Sequence, residues 1–315
     1  MAYVFLLPGQ GSQKVGMGKD LYEAFPAARD AFHLVDDAVG AALSTLAFEG
    51  PADELTRTVN AQPALLAHSA AVWSVIREVV GDRIVGAAGH SLGEFSAYHV
   101  AGTLDLSAAA RIVRRRGALM YEQGVQRPGA MAAILGVLTA SIDDLCAQAT
   151  AECGLVVPAN YNSEEQVVIS GEVAGVERAM ELAKAAGAKR CLPLPVSGAF
   201  HSPLMAPAVD GLSQALQAET WHDPKVPVVA NVNAEAVTAA NTARELLLQQ
   251  LTAPVQWTRV MRTLAERFPD ATFVEIGSGA VLTGLARRIA PSVKTMAVGT
   301  VAEVEKFIES IPSNS

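Results

Sequence analysis

Apolar residues fall into two kinds of run along most of this chain. Short, nearly continuous runs at 3–7 and 83–88 read as buried strands, and longer runs with three- and four-residue spacing at 19–39 (interrupted near Pro26), 62–80, 93–101 and 107–123 read as helices. The alternation returns near the end, with strands at 271–276 and 293–298 and helices at 281–289 and 302–308. Thr300 and Glu303 have the spacing of a capping box for the last helix. Strands alternating with helices predict a parallel sheet covered on both faces.

The middle of the chain has a different order. After the breaker Arg127-Pro128-Gly129 come a strand at 130–135, a helix at 141–151 and strands at 155–159 and 166–170. A helix at 175–186 and a strand at 189–194 follow, ending at the breaker Pro195-Val196-Ser197-Gly198. That β-α-β-β-α-β order is the ferredoxin-like one. It predicts a small subdomain, 129–196, inserted into an α/β core formed by 1–128 and 197–315, with a cleft between the two. Ligand sites favour such boundaries.

Composition narrows the classes. Half of the 315 residues are hydrophobic and 18% are charged, which excludes a disordered chain. With 24 Lys+Arg against 32 Asp+Glu, the net charge of −8 argues against nucleic acid as a partner. The three cysteines, Cys146, Cys153 and Cys191, form no C-x-x-C pair, which argues against a disulfide scaffold or a cysteine-rich metal site and fits a reducing compartment. The apolar stretch 63–80 carries His68, Ser69, Arg77 and Glu78, so it reads as a buried helix rather than a membrane span. A cytoplasmic protein with no membrane partner is expected.

Gly89-His90-Ser91-Leu92-Gly93 is a G-x-S-x-G sequence between a predicted strand and a predicted helix. In a nucleophile elbow, small flanking residues allow the sharp turn that projects the serine hydroxyl, and the following N–H faces the oxyanion. The alternative is a glycine-rich turn without chemistry; both flanks favour the elbow. Ser91 then needs a base. Of the six histidines, His33, His68 and His99 lie in helical patterns, His222 lies in a polar connection, and His90 diverges from its neighbour. His201, in Gly198-Ala199-Phe200-His201-Ser202-Pro203, stands in a loop where the chain leaves the insertion.

No acid completes a triad. The aspartates between Ser91 and His201 are Asp105, Asp143 and Asp144, and the last two begin a helix, an ordinary capping position. A Ser–His dyad oriented by a main-chain carbonyl or an amide is therefore expected. Gly9-Gln10-Gly11 follows the first strand and lacks the ending of a phosphate loop; the Gln10 N–H is either a second oxyanion donor or part of a plain turn. Arg114, Arg115 and Arg116 point about 100° apart on their helix, so at most one or two face inward. An inward guanidinium suits a carboxylate ligand.

GQGSQ at 9–13, QPA at 62–64, GHSLGEFSA at 89–97, RRRGALM at 114–120 and GAFHSPLM at 198–205 together resemble the malonyl-CoA:acyl-carrier-protein transacylases and the related acyltransferase domains of polyketide synthases. ANYNS at 159–163, PVQWT at 254–258 and IGSGAVLTGL at 276–285 extend the likeness over essentially the whole chain. The resemblance implies an α/β-hydrolase-like core with a ferredoxin-like insertion. It implies Ser91 as nucleophile, His201 as base oriented by the Gln256 main-chain carbonyl, and the N–H groups of Gln10 and Leu92 as the oxyanion hole. It also implies Arg116 as the partner of the malonyl carboxylate, with Gln62, Phe200, Asn160 and Asn162 lining the substrate site.

The implied reaction moves a malonyl group from malonyl-CoA to the phosphopantetheine thiol of an acyl carrier protein, by ping-pong chemistry, for fatty-acid synthesis. No metal and no cofactor is implied beyond the phosphopantetheine of the substrates, and a monomer is expected. Carrier proteins of this kind are acidic, so docking on a net-negative chain requires a local basic patch; Lys184, Lys189, Arg190, Arg287 and Arg288 are the candidates. The alternatives are an acyltransferase acting in trans on a polyketide synthase, a relative acting in malonate decarboxylation, a serine thioesterase or hydrolase, and a non-catalytic carrier-binding module. Arg116 and the missing acid argue against a hydrolase.

Overall fold

The five residues of the first strand, β1 (Tyr3–Leu7), are all buried, as a strand covered on both faces requires. In the computed structural model, which describes residues 1–196 and 198–312, the remaining strands are β2 (Ile84–Gly89), β3 (Ala130–Leu135), β4 (Val156–Ser163), β5 (Gln166–Gly171), β6 (Arg190–Pro193), β7 (Val228–Val229), β8 (Ala236–Val237), β9 (Thr272–Ile276) and β10 (Lys294–Val298). Ser197 of the predicted second breaker, and residues 313–315, lie outside the described residues.

Six strands form one sheet in the order β10-β9-β1-β2-β7-β8. It is parallel from β10 to β7, and β8 turns back against β7. β1 lies at its centre, with Leu7 paired to Gly89. Both strands therefore end at one edge, and the two glycine-rich turns that follow them emerge side by side. Helix Thr58–Val80 is long and apolar enough to cross a bilayer by length and composition. In the fold it packs against helices Pro26–Val39 and Leu106–Gln126, and Leu65, Leu66, Ala71 and Val72 are buried in the larger core.

The second sheet is antiparallel, in the order β4-β5-β3-β6. This is the ferredoxin-like arrangement. Helices Ile142–Cys153 and Val173–Ala185 bury Leu145, Ala149, Val176 and Ala179 with Ile134 and Ile169 in a separate small core. A main-chain seam ties this unit to the larger core. The Tyr161 N–H donates to the Val255 carbonyl at 2.9 Å, and the Val255 N–H donates to the Ala159 carbonyl at 2.8 Å. The last helix starts on the predicted capping box of Thr300 and Glu303.

Candidate active site

Gly89 ends β2 and Gly93 begins helix Gly93–Val100, leaving three residues for the reversal between them. Ser91 takes the left-handed conformation, φ 51°, which an L-residue adopts at a cost of about 1–2 kcal/mol. The turn is possible because the strand and helix nearly touch. A Cβ on Gly89 would stand 1.9 Å from the Gly93 main chain, and one on Gly93 would stand 2.0 Å from the Leu7 carbonyl oxygen. Both contacts are with backbone that cannot swing away.

Hydrogen bonds hold the strained turn. The Ser91 N–H donates to Asn231 Oδ1 at 2.7 Å, and Asn231 Nδ2 donates to the Gly89 carbonyl at 2.7 Å. The Ser91 carbonyl accepts from Gln250 Nε2 at 3.0 Å. The hydroxyl is thereby aimed at His201, whose Nε2 lies 2.7 Å from Ser91 Oγ. His201 Nδ1 lies 2.8 Å from the Gln250 carbonyl, which can only accept, so the proton is on Nδ1 and the Nε2 lone pair faces the serine. Burial, and next the Arg116 cation, push the imidazole down to about 3, which keeps it unprotonated at neutral pH.

The orienting carbonyl differs from the expectation. Gln256 does not hold His201: its N–H donates to the Asn231 carbonyl at 2.8 Å, and its own carbonyl accepts from Val260 at 2.9 Å to start helix Trp257–Arg267. The seam that pairs Val255 with β4 draws this segment away from the histidine, and the end of helix Ala240–Gln249 supplies Gln250 instead. The aspartates stand elsewhere. Asp105 caps helix Leu106–Gln126 through Ala108, Asp143 accepts from the Tyr161 hydroxyl, and Asp144 is exposed.

Of the three adjacent arginines, Arg116 alone is fully inward. Arg115 is half exposed and pairs with Glu122, while Arg114 binds the Val59 carbonyl and Asn60 at the helix junction. Arg116 is 1% exposed. Its Nη1 donates to Gln62 Oε1 at 2.9 Å, and its Nη2 donates to Gln250 Oε1 at 2.9 Å and Ser91 Oγ at 3.1 Å. All three partners are neutral. Burial lowers this guanidinium to about 10, still a cation at neutral pH, and Nε has no partner among the described residues.

A cavity of about 220 Å³ opens over Ser91 and His201, between the two sheets. Gln10, Gln62, Leu92 and Met120 line it from the core; Met131, Asn160 and Leu194 line it from the insertion, and Phe200 closes beside His201. The main-chain N–H groups of Gln10 and Leu92 donate to no protein group among the described residues, which leaves both available to a ligand. Asn162 stands one step back, its Oδ1 accepting from His90 Nε2 at 2.7 Å, and the His90 ring lies against Trp257. Gln250, Asn231 and Glu94 are functional neighbours that sequence spacing did not single out. The acid of the GHSLGE sequence was their one visible signal.

These buried groups make stability pH-dependent. Burial lowers the imidazoles of His68, His90, His99 and His201 below the ordinary value of 6.5. Below pH 6.5 the unfolded chain therefore binds protons that the folded protein refuses, and each such histidine costs up to about 1.4 kcal/mol per pH unit. Burial raises Glu94 and Glu275, which act in the opposite direction, but they are two against four. Thermal melts are expected to give a lower midpoint at pH 5.5 than at pH 7.5 (about those values). An equal or higher midpoint at the acid value would contradict this account.

Comparison with known proteins shows the family. Residues 4–306 match the acyl transferase domain family. The chain belongs to the acyl transferase family. It is 46% identical over 308 residues to the malonyl CoA-acyl carrier protein transacylase of Bacillus subtilis, covering 98% of this chain and 96% of that one. The crystal structure of an acyl-carrier-protein-S-malonyltransferase from Bartonella henselae superposes with a TM-score of 0.93 at 44% identity, covering 99% of each chain. A malonyl-transacylase solved in complex with its type II polyketide-synthase acyl carrier protein gives a TM-score of 0.92 at 42% identity, covering 98% of this chain and 99% of that one. The mostly parallel six-stranded sheet with its four-stranded antiparallel companion is thus the architecture of this acyltransferase family.

Proposed function

We propose that this enzyme transfers the malonyl group of malonyl-CoA to the phosphopantetheine thiol of an acyl carrier protein, through an ester on Ser91, to supply fatty-acid synthesis. The observation that carries the reading is the buried Arg116 guanidinium, 3.1 Å from the Ser91 hydroxyl and surrounded by neutral acceptors. A buried cation without a carboxylate partner is costly, and a substrate carboxylate relieves that cost. In a malonyl ester the free carboxylate is a few bonds from Oγ, within reach of the guanidinium.

Ser91 Oγ attacks the thioester carbonyl while His201 Nε2 takes its proton. The carbonyl oxygen gains the negative charge and accepts from the N–H groups of Gln10 and Leu92, each worth about 2.7–4 kcal/mol of barrier. As the C–S bond breaks, His201 returns the proton to the CoA sulfur, leaving malonyl-serine. The carrier thiol then gives its proton to His201, attacks the ester and repeats the sequence, restoring the Ser91 hydroxyl. The Gln250 carbonyl fixes the imidazole tautomer throughout and stands where a hydrolase triad has its acid. Asn160 and Phe200 shape the acyl pocket, and the Phe200 ring crowds an α-methyl branch.

The insertion, 129–196, forms the opposite wall and receives the carrier. Lys184, Lys189 and Arg190 are exposed, and β6, which carries Arg190, runs directly into the cavity-lining residues 194–196. Arg287 and Arg288, also exposed, stand apart from these on helix Val281–Ile289, which packs against β4 at the other edge of the insertion's sheet. The test is intact-mass analysis after mixing with malonyl-CoA. One stable malonyl adduct is expected, discharged within seconds by a holo carrier protein and not by its apo form. Continuous CoA release without a carrier would instead favour hydrolysis. Discharge by a polyketide-synthase carrier alone would place the same chemistry in polyketide synthesis.

A further inference from the structure

Glu94 lies in the first turn of helix Gly93–Val100, completely buried directly beneath the elbow. Its Oε2 accepts from Gln250 Nε2 at 2.7 Å and from the Asn231 N–H at 3.1 Å, while Oε1 has no partner among the described residues. We propose that Glu94 is a positioning residue that sets malonyl selectivity by fixing the orientation of the Gln250 side-chain amide against Arg116.

A glutamine amide presents two donors at one end and an acceptor at the other, and either end fits the same space. The Glu94 carboxyl oxygen and the Ser91 carbonyl both accept, so together they hold Nε2 on their side. Oε1 must then face Arg116 Nη2, at 2.9 Å. If the amide turned over, an N–H would meet the guanidinium N–H and the Arg116 fork would lose its support. Gln62 would be left as its remaining side-chain amide acceptor. Gln250 also offers its carbonyl to His201, so the base and the carboxylate clamp depend on a single residue whose side chain is locked from behind by Glu94.

The lock does not require a charge. Burial raises the Glu94 carboxyl to about 7, so it is shared between two protonation states at neutral pH. Oε2 accepts in either state when the proton rides on Oε1. A glutamine at 94 provides the same acceptor, whereas a methionine of similar volume provides none.

The experiment compares rates of acyl-enzyme formation from malonyl-CoA and acetyl-CoA, with thermal melts of each variant. It rests on the reading of Arg116 above, so Arg116→Ala is run alongside. Glu94→Met is expected to lower the malonyl-to-acetyl ratio roughly tenfold, and Glu94→Gln to keep it within about twofold of the parent. Should Glu94→Met fail to fold, Glu94→Asp serves, because its carboxyl is drawn back from Gln250; its ratio is expected to fall as well. Equal losses for both substrates, an unchanged ratio in the folded Met or Asp variant, or an equally reduced ratio in Glu94→Gln would each overturn the proposal. If Arg116→Ala itself keeps the malonyl preference, the failure lies with the clamp; if Arg116→Ala loses it and Glu94→Met does not, it lies with Glu94.

Discussion

Ser91→Ala is expected to leave a folded protein that takes up no malonyl group and transfers it roughly 10⁴–10⁶-fold more slowly than the parent. The loss is large because, among the described residues, the side-chain nucleophile that contacts His201 Nε2 is Ser91, whose Oγ lies at 2.7 Å. The fold is expected to survive because the elbow is held through main-chain groups. The Ser91 N–H and carbonyl keep their bonds to Asn231 and Gln250, and alanine tolerates the φ of 51° about as poorly as serine does. Transfer assays, intact-mass analysis and a melting curve on the same preparation check the three parts together. A malonyl adduct persisting on the alanine variant would move the nucleophile elsewhere and undo the proposed mechanism.

Much of the scaffold is legible in the sequence because its central strands are buried on both faces. β1 and β2 are short apolar runs without alternation, β9 is such a run interrupted by the buried Glu275, and the half-buried edge strand β10 keeps only Met296, Ala297 and Val298 of that signal; each is followed by a helix with its own spacing. β7 and β8 are not legible, since two residues carry no period. Helix Trp257–Arg267 carries a plain signal in Trp257, Val260, Met261 and Leu264, but an alternation of strands and helices alone gives it no place.

The site divides along similar lines. Ser91 is legible because the geometry of a tight turn dictates glycines around it. His201 is legible by its loop and by the lack of a better histidine, and Arg116 by resemblance among three equal neighbours. Gln250 is 159 residues from Ser91 and acts through a main-chain carbonyl and an amide. Any residue has the first, and many polar residues have something like the second, so spacing holds no trace of it. The same reason explains why the sequence points to Gln256, in a recognisable motif, in its place. Glu94 was visible within GHSLGE but had no assignable role until Asn231 and Gln250 were seen to converge on it.

Arg116→Ala is expected to reduce malonyl transfer roughly 10²-fold or more while leaving acetyl transfer close to the level of the parent. The argument is electrostatic. A buried, hydrogen-bonded ion pair loses about 3–5 kcal/mol when one partner is removed, mostly because the remaining charge is left desolvated. Here the remaining charge would be the malonyl carboxylate, inside a cavity lined by Met120, Met131, Leu194 and Phe200. Acetyl has no such carboxylate, so it does not suffer that loss. Arg116→Lys is expected to recover only part of the activity. An ammonium restores the charge but cannot contact Gln62, Gln250 and a carboxylate at once from one planar fork, as the geometry at Nη1 and Nη2 requires. Rate constants for acyl-enzyme formation from the two thioesters decide the matter, since they precede any carrier-dependent step. If the alanine variant lost malonyl and acetyl transfer in equal proportion, Arg116 would be supporting the Ser91 hydroxyl, which it touches at 3.1 Å, rather than recognising the substrate.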